Sequence, residues 1–266
     1  MSDPAASGLF RLDGRTAFIS GGAGHLGRAM VTALAAHGAH VIVNGRNEAR
    51  LAAFKAEMTS AGADVTTACF DMMDFAAVHA FFGGLERLDI LVNNAVTVEP
   101  GKIETQTPEA FDTAYRSTVT AAFEAMRGAE KALEAGVAAT GHASVVNIAT
   151  MYGRVAPDPR IYGASGLNSP PAYGPAKAGL LQLTRHMAAH WGPKAIRVNA
   201  VLPGPFPSAS IQAAKPDFAE ALAGKTMLGR IGQPAEIAGS VVFLGSDAAR
   251  YVTGAEIAVD GGWTAW

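Results

Sequence analysis

Seven short apolar runs alternate along the chain with longer segments whose apolar residues recur at helical spacing. Parallel strands need crossover connections, and helices packed on both faces of such a sheet leave its strands apolar throughout. The predicted strands are residues 16–20, 41–43, 65–70, 89–93, 143–148, 197–201 and 255–259. The pattern predicts an α/β fold, a single doubly wound parallel sheet of about seven strands with helices on both faces.

Composition narrows the class of protein. The 266 residues contain no repeat and no charge block that would mark a linker, so we expect one domain over residues 1–266, flexible at 1–10. A net charge of −2 lacks the basic footprint of nucleic-acid binding. No leader pattern opens the chain and no run of about 18 apolar residues occurs, so we expect a cytoplasmic protein without a membrane partner. Cys69, the only cysteine, is expected to be a small core residue.

A glycine-rich turn, residues 21–27, separates the first predicted strand from an amphipathic helix. Such a turn lets backbone N–H groups approach a pyrophosphate, and the helix N-terminus adds positive potential. Its glycines could serve an ordinary tight turn, but their placement favours a dinucleotide site. That site would include Gly21, Gly24, His25 and Leu26.

The end of the second predicted strand bears on which dinucleotide binds. Sites for NAD usually place an acidic side chain there, on the adenosine ribose. This chain instead has Arg46, and an arginine can pair with a 2′-phosphate. The alternative is that Arg46 only solvates the start of the next helix. We expect NADP rather than NAD.

With these residues in view, the chain resembles the short-chain dehydrogenase/reductase family over nearly its whole length, including members that resemble 3-oxoacyl-carrier-protein reductases and sugar dehydrogenases. The matching motifs are the turn 20–27, Asp71, Asn93-Asn94-Ala95, Tyr173 with Lys177, Arg197-Val198-Asn199, Pro203-Gly204 and the ending 252–262. The resemblance implies a Rossmann fold. It also implies that Asp71 and Met72 contact the adenine, Asn93 and Ala95 the adenosine ribose region, and Pro203, Gly204, Phe206 and Ser208 the nicotinamide end.

The expected catalytic pair can also be argued from spacing. Tyr173 and Lys177 stand four residues apart at a predicted helix start, so both project from one face. An ammonium beside a phenol favours phenolate, and together with an oxidised nicotinamide ring we expect it to lower the pKa of Tyr173 from about 10 toward the working pH, as a general acid/base requires. The resemblance implies that Lys177 also holds the nicotinamide ribose.

A second tyrosine competes for this role. Tyr162 stands closer to Thr150 than Tyr173 does, but position 166, four residues later, is glycine rather than a cation. We therefore assign Tyr162 to the Pro- and Gly-rich insertion 151–171, a long loop that we expect to line the substrate pocket.

The chain departs from the family pattern at four positions. His25 replaces the middle glycine of the turn, and Val96 ends the motif that usually continues Asn-Asn-Ala-Gly. Thr150 stands where the family has a serine, so its hydroxyl is expected to hold the substrate oxygen. Thr118 stands where an asparagine usually supports the lysine through water, and its hydroxyl can still bind water.

These residues predict an NADP(H)-dependent oxidoreductase that interconverts a secondary alcohol and a ketone, with a sugar or sugar acid as the candidate substrate type. The alternative is a dinucleotide-binding regulatory or scaffolding subunit without turnover. No metal is expected, because His186 and His190 have no third ligand in view.

We also expect a homo-oligomer, a tetramer by family resemblance. The segment 237–244 is apolar on more than one helical face, and residues 255–259 form a strand at the sheet edge. The alternative is a monomer whose tail, Trp263 to Trp266, covers that edge.

Overall fold

All seven predicted strands are present, and they pair in parallel in one sheet. The structure, a computed structural model, describes residues 8–266. The strands are β1 Thr16–Ile19, β2 His40–Gly45, β3 Val65–Cys69, β4 Ile90–Asn93, β5 Ala143–Ile148, β6 Ile196–Pro203 and β7 Glu256–Val259. Their spatial order is β3-β2-β1-β4-β5-β6-β7, which confirms the doubly wound prediction. The order reverses between β1 and β4, and ligands of such folds bind in the crevice at the carboxyl ends of these strands.

Helices cover both faces of the sheet. They are α1 His25–Ala36, α2 Glu48–Ser60, α3 Phe75–Gly83, α4 Pro108–Tyr115, α5 Ala121–Thr140, α6 Tyr173–Trp191, α7 Ala209–Ala214, α8 Pro216–Gly224 and α9 Pro234–Gly245. A π-helical turn, Arg116–Thr120, joins α4 to α5. No helix in the described part of the chain is long and apolar enough to cross a bilayer.

The central strands are mostly apolar because their two faces contribute to two cores. In β1, Ala17 and Ile19 pack with α1, α2 and α9 on one face of the sheet. Phe18, between them, packs with α3, α5 and α6 on the other face. This alternation follows from the period of two in a strand, and it explains why the three buried residues of β1 after Thr16 are all apolar.

The predicted flexible start lies mostly outside the described residues, because positions 1–7 fall there. The part that is described is tied down: the Leu9 carbonyl oxygen accepts a hydrogen bond of 3.1 Å from the Ala248 N–H, just beyond α9.

The prediction that Cys69 is a core residue is wrong. Its thiol is exposed at the end of β3. Because β3 is the outermost strand on its side of the sheet, α2 covers it incompletely, and Cys69 lies with Thr67 along an open groove beside that helix.

The apolar faces of α9 do not form a free surface. The core that contains α1 and one face of the sheet also buries Ile237, Val241, Val242 and Leu244. These side chains therefore offer no surface for contact with a second copy of the chain. The alternative of a tail that covers the edge strand also fails, because Trp263 packs with Met151, Ile161 and Leu222 and not with β7.

A buried charged cluster lies at the amino-terminal edge of the sheet, opposite the expected site. Arg15 Nη2 lies 2.5 Å from Asp247 Oδ1, and His142 Nε2 lies 2.8 Å from the same oxygen. Arg197 Nη2 lies 3.4 Å from His142 Nδ1. A carboxylate can only accept, so Nε2 of His142 carries the proton and Nδ1 accepts from Arg197. The neutral ring satisfies both neighbours.

Candidate active site

A groove of about 650 Å³ opens where β1, β2 and β4 end, at the predicted crevice. Its floor is the glycine turn. Gly21 adopts a left-handed φ of +63°, and a Cβ on Gly27 would lie 2.3 Å from the Gly21 carbonyl oxygen, so this close packing of turn and helix requires glycine. Gly24 precedes α1, and no side chain caps the helix. The helix N-terminus therefore faces the groove as an anion site, which fits a dinucleotide pyrophosphate.

The adenosine end of the groove carries two arginines. Arg46 Nη1 lies 3.3 Å from Asp71 Oδ2, so the side chain predicted to bind a 2′-phosphate is held at the rim by the residue predicted to contact adenine. Met72 lines the groove beside them. Arg50 lines it as well, and our sequence analysis missed it. The sequence carried a signal for Arg50, because Asn47 is a residue type that caps helices. Asn47 Oδ1 accepts a hydrogen bond of 2.8 Å from the Arg50 N–H, which places Arg50 in the first turn of α2.

His25 connects two walls of the site. Its Nε2 donates to the backbone carbonyl of Phe206, at 3.1 Å. The ring therefore ties the glycine turn to the segment after β6, and this bond occupies the Nε2 donor.

The segment predicted to meet the nicotinamide follows β6. Pro203 ends that strand, and a Cβ on Gly204 would lie 2.4 Å from Asp260 Cα, so the backbone passes tightly against the turn after β7. Ser208 caps α7. None of Pro203, Gly204, Phe206 and Ser208 lines the 650 Å³ groove itself, and the His25 contact is where this segment joins it.

Thr150, Tyr173 and Lys177 come together at the carboxyl end of β5. Thr150 is buried, and its hydroxyl lies close enough to the Tyr173 phenol to lower the pKa of that phenol. Lys177 is also buried; its Nζ donates to the Ile148 carbonyl at 2.5 Å and lies 6.0 Å from the centre of the Tyr173 ring. The three predicted catalytic groups therefore form one cluster.

The expected fall in the pKa of Tyr173 includes the charge of an oxidised nicotinamide, so it stays a prediction; the protein groups alone shift this pKa upward. Burial raises the pKa of Tyr173 above its usual value, and the hydrogen bond with Thr150 lowers it only in part. Burial also lowers the pKa of Lys177 to about 8. Desolvation disfavours both charged forms, and among the protein groups it outweighs the attraction between ammonium and phenolate.

A second, much smaller cavity of about 10 Å³ lies behind Lys177. Thr118 and Asn93 line it, and each has a buried side-chain oxygen without a protein partner, Oγ1 and Oδ1 respectively. Thr118 lies in the π-helical turn, a feature frequently found at functional sites. Asn93 thus points away from the groove, whose wall at this level is Asn94 and Ala95.

The insertion 151–171 is fixed on two sides. Asp158 Oδ2 lies 2.6 Å from Lys225 Nζ, next to α8, and Asn168 Nδ2 donates to the Gly101 carbonyl at 2.5 Å. Tyr162 stacks on Phe218 of α8, with ring centres 5.6 Å apart.

The competing tyrosine has no cation beside it in this environment. The Tyr162 hydroxyl lies 3.2 Å from that of Tyr152, and burial raises its pKa. Tyr152 in turn meets Trp263 edge-on, at 6.4 Å between ring centres. These contacts are consistent with the assignment of Tyr162 to the insertion.

No metal centre is evident. Among residues 8–266 there is no group of three or more His, Cys, Asp or Glu side chains placed to hold a metal, and His186 and His190 are exposed on α6.

Comparisons with known proteins agree over almost the full chain. A family model described as enoyl-(acyl carrier protein) reductase matches residues 21–264. Galactitol 2-dehydrogenase (L-tagatose-forming) of Cereibacter sphaeroides is 34% identical over 266 residues, covering 97% of this chain and 98% of that protein. Gluconate 5-dehydrogenase of Gluconobacter oxydans is 30% identical over 263 residues, covering 96% and 97%.

Solved structures are similar to the same extent. Gluconate 5-dehydrogenase from Burkholderia cenocepacia, in complex with NADP and tartrate, has a TM-score of 0.86 at 29% identity, covering 98% of this chain and 100% of that chain. The RhlG/NADP active-site complex of Pseudomonas aeruginosa has a TM-score of 0.87 at 30% identity, covering 96% and 98%.

Proposed function

The chain belongs to the short-chain dehydrogenase/reductase family, and on that premise we propose that it interconverts a secondary alcohol and a ketone with NADP(H) as the hydride carrier. The observation that carries the proposal is the cluster in which the half-buried Tyr173 phenol lies beside the buried Thr150 hydroxyl, with Lys177 Nζ 6.0 Å from the tyrosine ring. Retention of this cluster argues against a subunit without turnover.

Each member of the cluster has a separate task. Thr150 holds the substrate oxygen by hydrogen bonding. Tyr173 exchanges the proton at that oxygen, and its raised pKa keeps the phenol protonated, as the reduction of a ketone requires. Lys177, with a pKa of about 8, is mostly an ammonium at neutral pH and can donate to the nicotinamide ribose. When bound, the nicotinamide supplies or accepts the hydride, and its oxidised form adds a positive charge that favours phenolate.

The adenosine end supports NADP over NAD. Arg46 and Arg50 both line the groove, and Asp71 holds Arg46 in place. Two guanidinium groups at one rim suit a 2′-phosphate dianion. Relatives solved with NADP bound support the same choice.

The proposed substrate is polyhydroxylated, a sugar alcohol, sugar acid or the matching ketone. Support comes from the galactitol and gluconate dehydrogenases among the relatives. The insertion 151–171 is the proposed substrate loop, and its Tyr152 and Tyr162 hydroxyls offer polar contacts between aromatic walls.

We also propose a cytoplasmic homotetramer. Phe111, Tyr115 and Phe123 are large exposed side chains of α4 and α5, and Tyr251 is fully exposed near the edge strand β7. Such surfaces suit symmetric pairing. The exposed Cys69 thiol suits a reducing compartment.

The test follows NADPH absorbance against panels of keto-sugars, 3-oxoacyl thioesters and cyclic ketones. We expect turnover with a keto-sugar, and we expect Tyr173→Phe to lower kcat at least about a hundredfold while NADPH affinity is unchanged. Tyr162→Phe is the matched control and should retain the chemistry. NADPH binding without turnover on any panel would support the non-catalytic subunit instead.

A further inference from the structure

One hydrogen bond joins two segments that follow strands far apart in the sheet. His25, the first residue of α1, follows β1, and its Nε2 lies 3.1 Å from the carbonyl oxygen of Phe206, which follows β6. A carbonyl oxygen can only accept, so Nε2 carries the proton and donates. We call this contact the His25 bridge.

The His25 bridge crosses the carboxyl ends of two strands, because β4 and β5 lie between β1 and β6 in the sheet. Neighbouring strands lie about 4.8 Å apart, so β1 and β6 are separated by about 14 Å. Ala95 follows β4 and Thr150 follows β5, so both stand in the part of the crevice that the bridge spans. His25 itself lines the 650 Å³ groove.

The segment that carries Phe206 is held from the side away from the glycine turn. The Gly232 N–H donates to the Pro205 carbonyl at 2.9 Å. A Cβ on Gly232 would lie 2.4 Å from Phe206 Cε1, so the aromatic ring packs tightly on this glycine. The segment therefore has a fixed support on one side, and His25 adds a contact from the opposite wall of the crevice.

We propose that His25 is a cofactor-retaining residue, whose bridge to Phe206 closes the crevice over a bound dinucleotide. A dinucleotide that reaches from Arg46, after β2, to Tyr173, beside the end of β5, crosses the ends of β1 and β4. It therefore passes through the span of the bridge, and its release requires the bridge to open. Because the family has glycine at position 25, this closure belongs to the side chain that this sequence carries there.

The effect should appear in the rate of cofactor release and should be the same for both dinucleotides. One hydrogen bond between uncharged groups corresponds to about a fivefold change in an equilibrium constant. Differences in affinity among variants of one site lie mostly in the dissociation rate. NADPH and NADH share the part of the molecule that lies under the bridge, whereas Arg46, after β2, faces the 2′-phosphate that distinguishes them.

The test measures dissociation of NADPH and of NADH from the whole protein by stopped flow, with excess NADP as the displacing ligand and nicotinamide fluorescence as the signal. His25→Leu keeps a side chain of similar bulk and removes the donor, and both dissociation rates should rise about fivefold. His25→Gln is the matched control, because its amide can still donate to the Phe206 carbonyl, and it should stay within about twofold of wild type. His25 is exposed, so neither substitution disturbs the core.

A second probe separates the bridge from a general loss of the site. Adenosine 2′,5′-bisphosphate ends before the nicotinamide half, so its Kd should be the same for wild type and both variants. Equal dissociation rates of NADPH from wild type and His25→Leu would overturn the proposal. A faster release of NADPH alone would place His25 at the 2′-phosphate, and an equal rise in His25→Gln would assign the effect to the ring itself; each result contradicts the bridge.

The proposal rests on the proposed function only in taking NADP(H) as the ligand, and its readouts need no substrate. A crystal structure with NADP should retain His25 Nε2 within hydrogen-bonding distance of the Phe206 carbonyl, and a ring turned away from it would also refute the bridge. Fivefold faster release from His25→Leu in a protein that reduces no ketone would contradict the oxidoreductase and support the bridge.

Discussion

The stability of this protein should fall in mild acid because of one buried histidine at the amino-terminal edge of the sheet. The pKa of His142 is lowered from 6.5 to about 4, mainly by burial; the hydrogen bond with Asp247 raises it, and the guanidinium groups of Arg15 and Arg197 lower it. Protonation would also place an N–H of the ring against Arg197. The folded state therefore favours the neutral ring, while the unfolded chain takes up the proton readily.

The direction and the magnitude of this loss of stability follow from the linkage between proton binding and folding. A histidine with a depressed pKa in the folded state contributes stability that is complete above pH 6.5 and is lost as the pH falls toward 4. With these two values, the free energy of unfolding drops by about 2 kcal/mol between about pH 7.5 and about pH 5. We would measure it by urea unfolding at fixed protein concentration, followed by tryptophan fluorescence.

The matched variant is His142→Gln, because a glutamine amide can donate toward Asp247 and accept from Arg197 without titrating. Between these two pH values, the free energy of unfolding of this variant should fall by about 2 kcal/mol less than that of wild type. His190→Gln, at an exposed position on α6, should keep the wild-type dependence. Equal pH dependence in wild type and His142→Gln would refute the reasoning.

Three further predictions concern the groove, the substrate loop and the assembly. Arg46→Ala should weaken the binding of NADPH at least about tenfold more than the binding of NADH, as measured by calorimetry, and Arg50→Ala should have a smaller effect in the same direction. Equal losses of affinity for both cofactors would contradict a 2′-phosphate site. Lys225→Met releases Asp158 in the insertion, so KM for the ketone should rise several-fold with NADPH affinity unchanged, and an unaltered KM would show that the loop does not depend on this ion pair. Tyr115→Glu should shift the mass seen by light scattering toward the 27.3 kDa of one chain, whereas a wild-type protein already at that mass would exclude the oligomer.

Features set by local pattern were predictable from the sequence. Strand β1 and the glycine turn each depend on a few consecutive residues, and both appear where the pattern put them. The pairing of Tyr173 with Lys177 was predictable for the same reason, since four residues make one helical turn.

Features set by distant neighbours were not predictable. Cys69 stands in an apolar-looking strand, yet its exposure depends on β3 being outermost in the sheet. The apolar faces of α9 looked available until the fold placed α1 against them. The upward shift that the protein groups impose on the pKa of Tyr173 comes from burial, and burial is a property of the whole fold.

The cluster around His142 is the clearest case. Arg15 and Asp247 come from opposite ends of the chain, and no motif links either of them to His142. Only the sheet order, which places β1, β5 and β6 near one another, brings these residues together.

The bare N-terminus of α1 couples cofactor binding to folding. No side chain caps this helix and no acidic residue occupies its first turn, so a bound pyrophosphate completes an element that the chain leaves unfinished. A ligand that binds only the folded state adds about 2.7 kcal/mol of stability when its free concentration is a hundred times Kd. The melting temperature should therefore rise with each tenfold increase in NADP(H) concentration, because the dinucleotide stabilises the folded protein to which it binds.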